Sequence, residues 1–453
     1  MKTKLSTFFF TLLICPLILS QPQSQNMRFY SNLNAHSNGQ YSAIWGYVAP
    51  DGREYAILGC PTGTAFVDIT DTTNIHEVDF LPGLSSSWRE MKTYGTKAYI
   101  VSEASSSGLQ IVDLSYLPDS VSLKSVFTFS GYTRTHTISQ SGPYLYLNGG
   151  DYILGGTFIL DLTSRTGVPV KRGEWETEYI HDCRVVNDTI WGAGIFDGNI
   201  YVIDARDKNN LTTITSFQNI PDPGPHNTAL SQDHKFLFVT DEIGGNPRYL
   251  KVWNVENVFN PVQVATWQPT GITTSIVHNI ETYGSYAVVA HYTAGVRVLD
   301  ITNPASLMEI AWYDTYPADN GFTYNGCWGV YMFPSSKIIA SDRQTGLYVM
   351  KTTNPLVSTQ NNDPIPKKYS LKQNYPNPFN PSTKIEYSVP ENAYITIKIF
   401  DVLGKEVARI ADGYERAGQH LVTYDASHLP SGVYFYKLET KGFSETRRMV
   451  LVK

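Results

Sequence analysis

His278-Asn279-Ile280-Glu281-Thr282, Tyr286-Ala287-Val288-Val289-Ala290, Gly295-Val296-Arg297-Val298-Leu299-Asp300-Ile301-Thr302 and Glu309-Ile310-Ala311-Trp312-Tyr313 follow one another as four short runs rich in β-branched and aromatic residues. Turn residues separate them and none holds a helical apolar period, so they read as four strands. The pattern returns along the chain, and its third run is the clearest marker. It reads Phe66-Val67-Asp68-Ile69-Thr70, Ile111-Val112-Asp113-Leu114-Ser115, Ile159-Leu160-Asp161-Leu162-Thr163, Val202-Ile203-Asp204-Ala205, Val252-Trp253-Asn254-Val255 and Val298-Leu299-Asp300-Ile301-Thr302, with a degenerate Tyr348-Val349-Met350. First runs start at Trp45, Trp88, His136, His181, His226, His278 and Trp328, a period of roughly 47 residues.

Seven four-stranded units at one period imply an all-β chain whose main body, residues 26–353, is a seven-bladed β-propeller around a central channel. Helical solenoids are excluded. The last unit holds only three runs and ends near Met350. The segment Met27 to Leu33 is the simplest source of its fourth strand, which would remove a raw sheet edge. The marker aspartates Asp68, Asp113, Asp161, Asp204 and Asp300 precede polar turn residues, where a carboxylate bonds nearby backbone amides.

Residues 1–25 begin with Lys2 and Lys4, continue through an apolar run ending near Leu19, and finish polar, the order of a cleaved secretory signal. That run falls short of the roughly 20 residues that span a bilayer, and no later stretch is long and apolar enough. Charged residues make up 17% with a net charge of −6 and no basic cluster, so nucleic-acid binding has no electrostatic footprint. Aromatics at 13%, including 30 Tyr, suit many short strands. Beyond the leader remain Cys60, Cys183 and Cys327; an odd number cannot all pair. A Cys60–Cys327 bridge is one reading, and three buried thiols the other.

Residues 354–368 are polar and Pro-rich and read as a linker. Residues 369–453 form a separate β unit, with Ile395 to Ile399 and Val433 to Leu438 as clean strands. The repeat, most fully Gly295 to Pro304, resembles the LVIVD-repeat propellers of the choice-of-anchor B family. The tail resembles the type IX secretion (Por) C-terminal sorting domain. The matching residues are Asn374-Tyr375-Pro376-Asn377-Pro378-Phe379-Asn380-Pro381, Asp401-Val402-Leu403-Gly404, and Ser431-Gly432-Val433-Tyr434-Phe435-Tyr436. The resemblance implies a small β-sandwich recognised by the type IX machinery, with the protein delivered to the outer-membrane surface or the extracellular space. The propeller resemblance defines no activity.

The sequence holds no nucleophile elbow, phosphate-cradling Gly loop or zinc-protease helix motif. One constellation remains. Four successive first strands open with histidine (His136, His181, His226, His278), and second strands end near Glu103, Asp151, Asp241, His291 and Asp342. In a propeller these positions share a face, so imidazoles and carboxylates would ring the channel mouth. Such groups suit a divalent ion such as zinc or manganese or acid–base work; equally, they suit hydrogen bonds that tie neighbouring blades. His36 and His234 lie outside the register, and Trp45, Trp88 and Trp328 read as packing between blades rather than sugar platforms. The expected function is an exported binding module with an unknown extracellular ligand. The alternatives are a secreted metal-dependent or histidine-based hydrolase or lyase, and an adhesive surface component.

Overall fold

The computed structural model describes residues 24–37, 39–164, 166–354, 356, 366–391, 393–415 and 417–453. The leader (1–23) and most of the linker fall outside them. Among the described residues, seven antiparallel sheets of four strands or more succeed one another, and two further sheets follow in the tail. Blade 4 is representative: Asp182–Val186, Thr189–Gly194, Asn199–Asp204 and Thr212–Gln218 form a meander from the channel outward.

Alternation along these strands presents apolar side chains to both faces of each sheet, and every face meets the next blade. The core is therefore a set of wedges. Trp175, Ile180, Tyr201 and Ile203 fill the wedge between blades 3 and 4 with Tyr146 and Ile159. Leu230, Leu237, Val239 and Trp253 join Trp191, Ile200 and Val202 between blades 4 and 5. The third strand opens on a glycine in several blades because the chain there is left-handed: Gly108, Gly295 and Gly346 have φ of +57°, +75° and +86°. A Cβ on Gly295 would also stand 2.2 Å from the Tyr313 carbonyl oxygen. The marker aspartates cap turns, as expected. Thr70, Ser115, Thr163, Arg206 and Thr302 each donate a backbone N–H to the aspartate two residues earlier, at 2.8–2.9 Å.

Met27–Leu33 forms the outermost strand of blade 7, antiparallel to Gly346–Thr352, so the two ends of the propeller chain pair in one sheet. Ser24 and Gln25, assigned to the leader by sequence, pair with Tyr313 and Trp312 at the edge of blade 6. Cys60, Cys183 and Cys327 are free and buried, which excludes the Cys60–Cys327 bridge.

The tail is a two-sheet sandwich. Ser370–Leu371, Ser382–Val389 and Gly418–Asp425 face Glu406–Glu415, Ala393–Phe400, Gly432–Glu439 and Ser444–Leu451. Ile395, Ile397 and Ile399 point inward at alternate positions and are fully buried. The Pro-rich motif is part of this sandwich. Phe379 is in its core and bonds Val450 and Val452 through backbone, while Asn374 is held by Thr383 Oγ1 and the Tyr436 hydroxyl. Gly404 closes the Asp401 turn in the left-handed region, and Gly432 starts a strand. No helix among the described residues is long and apolar enough to cross a membrane.

Candidate functional site: the histidine-lined channel mouth

Each blade's first strand starts at the same end of the channel, so the residue at its opening faces its six equivalents. The histidines meet there. Ring centroids are 4.2 Å apart for His136–His181, 4.3 Å for His181–His226 and 4.2 Å for His226–His278. Trp328 continues the ring 4.6 Å from His278, and Trp88 contacts Trp328 at 5.3 Å. In blade 1 this position belongs to Ala43, which lines the same cavity. Trp45 lies two residues further along, where its indole N–H donates to Thr93. The two side chains share one strand face, and composition alone favoured the larger.

His136, His181, His226 and His278 are all buried. Burial first, and the crowding of like rings second, hold His181 and His278 well below the usual imidazole range; burial also lowers His226. These three are neutral near pH 7 and keep a lone pair for a ligand. His278 Nδ1 donates to the Trp328 carbonyl at 2.5 Å. The His181 and His226 rings stand in the same way beside the backbones of His226 and His278.

Two carboxylates reach the ring. Glu103 lies 2.6 Å from His136 Nδ1, and that bond is the main reason its carboxyl sits below the usual range. Glu242, which the sequence pattern passed over for its neighbour Asp241, accepts from the Tyr292 hydroxyl at 2.6 Å. It also stands 3.5 Å from His226 and 3.6 Å from His278. Both glutamates are the first residue after a second strand, Lys97–Ser102 and Phe236–Asp241. The other sequence candidates point elsewhere. Asp241, the last residue of its strand, turns to Lys251 (2.7 Å), and Asp342 bonds Thr315, Gln344 and Thr345. Asp151 accepts from the backbone of Thr133 and Arg134, and His291 bonds Ser275 outside the ring of four. A step of one residue at a strand end reverses the side chain, so spacing alone could not separate these cases. His36 pairs with Glu77 and His234 with Asn187, both away from the mouth.

Deeper in the channel lies a polar plug that spacing had not singled out. Asn227 donates to Asp182, Lys92 pairs with Glu90 at 2.8 Å, and Arg184 pairs with Glu281 at 2.9 Å. Burial, then the Glu90 charge, push Asp182 up to about 7. The available signal was charge at alternate strand positions, as in Glu90-Met91-Lys92 and Asp182-Cys183-Arg184. The space left beneath the imidazoles is ≈ 20 Å³. That holds about one water, too little for a sugar ring. Cys183 beside it is no nucleophile, because burial raises its thiol to about 12.

Around the mouth the loops carry exposed apolar groups. Leu154 is 83% and Phe196 75% exposed, and Phe196 packs 5.0 Å from Tyr179. Across the opening Arg248 lies 4.2 Å over the ring of half-exposed Phe322, and Tyr324 sits 5.3 Å from Tyr292.

One pH effect follows from Glu103. Its folded value is depressed, so its bond to His136 stabilises the protein above the ordinary Glu value of about 4.3 and is lost as pH falls through the folded value. Urea midpoints of wild type and Glu103→Gln should differ at neutral pH and converge in acid.

Residues 276–315 match the LVIVD repeat family, and residues 373–453 match the secretion system C-terminal sorting domain. The tail thus marks the chain for type IX export to the cell surface or the extracellular space. No curated protein matches the sequence. Among solved structures, the chain is similar to a putative 6-phosphogluconolactonase from Bacteroides uniformis, with 11% identity, TM-score 0.51, and coverage of 85% of this chain and 100% of that one. It is also similar to a protein from Lactobacillus plantarum (12%, 0.50, 84% and 99%) and to Sqt1 of Chaetomium thermophilum (12%, 0.51, 72% and 97%). At these identities the likeness concerns the fold.

Proposed function

We propose that the chain is an exported binding module that engages an extracellular polysaccharide across the mouth of its propeller. The observation that carries this reading is the rim, where exposed Phe196, Phe322 and Tyr324 encircle a polar, histidine-lined floor. Ligand sites combine apolar and aromatic walls with a few convergent polar groups, and an exposed aromatic patch on a secreted surface is a common mark of interaction. Sugar rings present apolar C–H faces to aromatic planes and hydroxyls to imidazole and carboxylate groups. The floor is too small to admit a sugar, so recognition falls to the rim.

Phe196→Ala and Phe322→Ala are each expected to weaken binding of the full-length secreted protein to soluble polysaccharides by about tenfold, or ~1.4 kcal/mol. Affinity electrophoresis against a polysaccharide panel checks this; equal retardation of variants and wild type would exclude the rim. The enzymatic reading has one observation behind it, the close Glu103–His136 pair with Glu103 partly exposed. Chain shortening of a captured polysaccharide, lost in Glu103→Gln, would establish that reading instead.

A further inference from the structure

We propose that the floor of the mouth is a divalent transition-metal site formed by His181, His226 and Glu242, with His278 beside it. The inference rests on the mouth being the working face, and it names what lies beneath the rim.

The donor set comes first. A ring nitrogen from each of His181 and His226 and a Glu242 carboxylate oxygen all lie within 4.8 Å of one another. Zinc takes nitrogen at 2.0–2.1 Å and carboxylate oxygen at 2.0–2.2 Å in tetrahedral geometry, so two donors on one ion stand about 3.4 Å apart. The His226–Glu242 separation of 3.5 Å already satisfies this, and His181, within 4.8 Å of the other donors, closes by at most about 1.4 Å.

Second, the rings are buried and held. Both histidines are more than nine-tenths buried (6% and 4% exposed), each stands beside the backbone of the next histidine in the ring, and His226 turns Nε2 to Glu242. Third, the surroundings are ordered as an outer shell. The Tyr292 hydroxyl orients Glu242, and the Trp328 carbonyl fixes the tautomer of His278, leaving Nε2 directed toward Glu242 at 3.6 Å. Metal ligands are held by such contacts.

The test uses the full-length secreted protein, dialysed against chelator and titrated with Co²⁺ and Zn²⁺. One equivalent should bind, and Co²⁺ should develop visible d–d absorption. His181→Ala/His226→Ala should abolish both signals. Glu242→Gln, which keeps its shape, should weaken binding by about 100-fold, and His278→Ala by about 10–100-fold. Arg206→Ala, a surface change remote from the mouth, should leave binding intact. If the double histidine variant does not fold, Glu242→Gln alone decides the matter. Absence of binding tighter than millimolar, or binding unchanged in Glu242→Gln, overturns the site. Polysaccharide retardation by the metal-free wild type reports separately on the rim, so a failed metal site and a failed rim give different results.

Discussion

Deleting residues 24–33 is expected to leave a propeller that no longer folds to a stable monomer. Met27–Leu33 is the only partner of the outer edge of Gly346–Thr352 among the described residues, with register running from Met27 opposite Thr352 to Leu33 opposite Leu347. The strand adds more than ladder bonds. Asn32 Nδ2 donates to the carbonyls of Thr345 and Leu347, and Asn26 Nδ2 donates to that of Ile310. Met27 is buried in the wedge between blades 6 and 7, and Phe29 stacks on Tyr313 at 5.7 Å. Backbone bonds contribute about 0.5–1.5 kcal/mol each, and burial of a Met side chain about 1.5–3 kcal/mol. Together these approach the ~5–15 kcal/mol that separates a folded domain from its unfolded chain. The exposed edge would also recruit other chains. Size-exclusion chromatography and thermal melting of the truncated propeller check the expectation. A synthetic peptide of residues 24–34 should restore the monomer, whereas an unchanged melting temperature would refute the closure argument.

Asp241→Ala should cost about 3–5 kcal/mol, the range for stripping one partner from a buried ion pair. Lys251 has no exposed surface. It is held by Asp241 at 2.7 Å, by the Asn219 carbonyl at 2.6 Å and by the Pro221 carbonyl at 2.5 Å. Removing the carboxylate leaves an ammonium in the blade with only carbonyl dipoles around it. The pair is nonetheless a weak source of net stability, since burial outweighs the adjacent ammonium and lifts Asp241 to about 6. Asp241→Ala/Lys251→Met should therefore recover most of the loss, because the second change removes the stranded charge. Urea midpoints of the two single variants and the double variant give the coupling directly. A single-variant cost under ~1 kcal/mol would show that water reaches Lys251.

Much of this molecule was legible because its signals are local. Asp113 caps a turn in isolation much as it does in the blade, and the Gly108 and Gly295 positions announce the opening of a third strand. The histidine register was visible for the same reason. His136, His181, His226 and His278 each precede or open a first strand, and a ring of blades brings such positions together. The carboxylates behaved differently. Asp241 and Glu242 are adjacent, yet one is locked inside a blade on Lys251 and the other crosses to His226.

Period-two alternation and turn residues are properties of consecutive residues, so the number of blades, the strand that closes the ring and the all-β character of the tail were readable without coordinates, while the tail's sandwich was implied by its resemblance to the sorting domains. The tertiary structure alone decided which side chains share the mouth. In blade 5 the pairing shifts between Pro225 and Asn227, and in blade 7 between Cys327 and Gly329. Such bulges re-aim the side chains beside them, here His226 and Trp328. That geometry, together with the convergence of seven strands on one axis, sets Glu242, the Ala43 gap and the charged plug beneath.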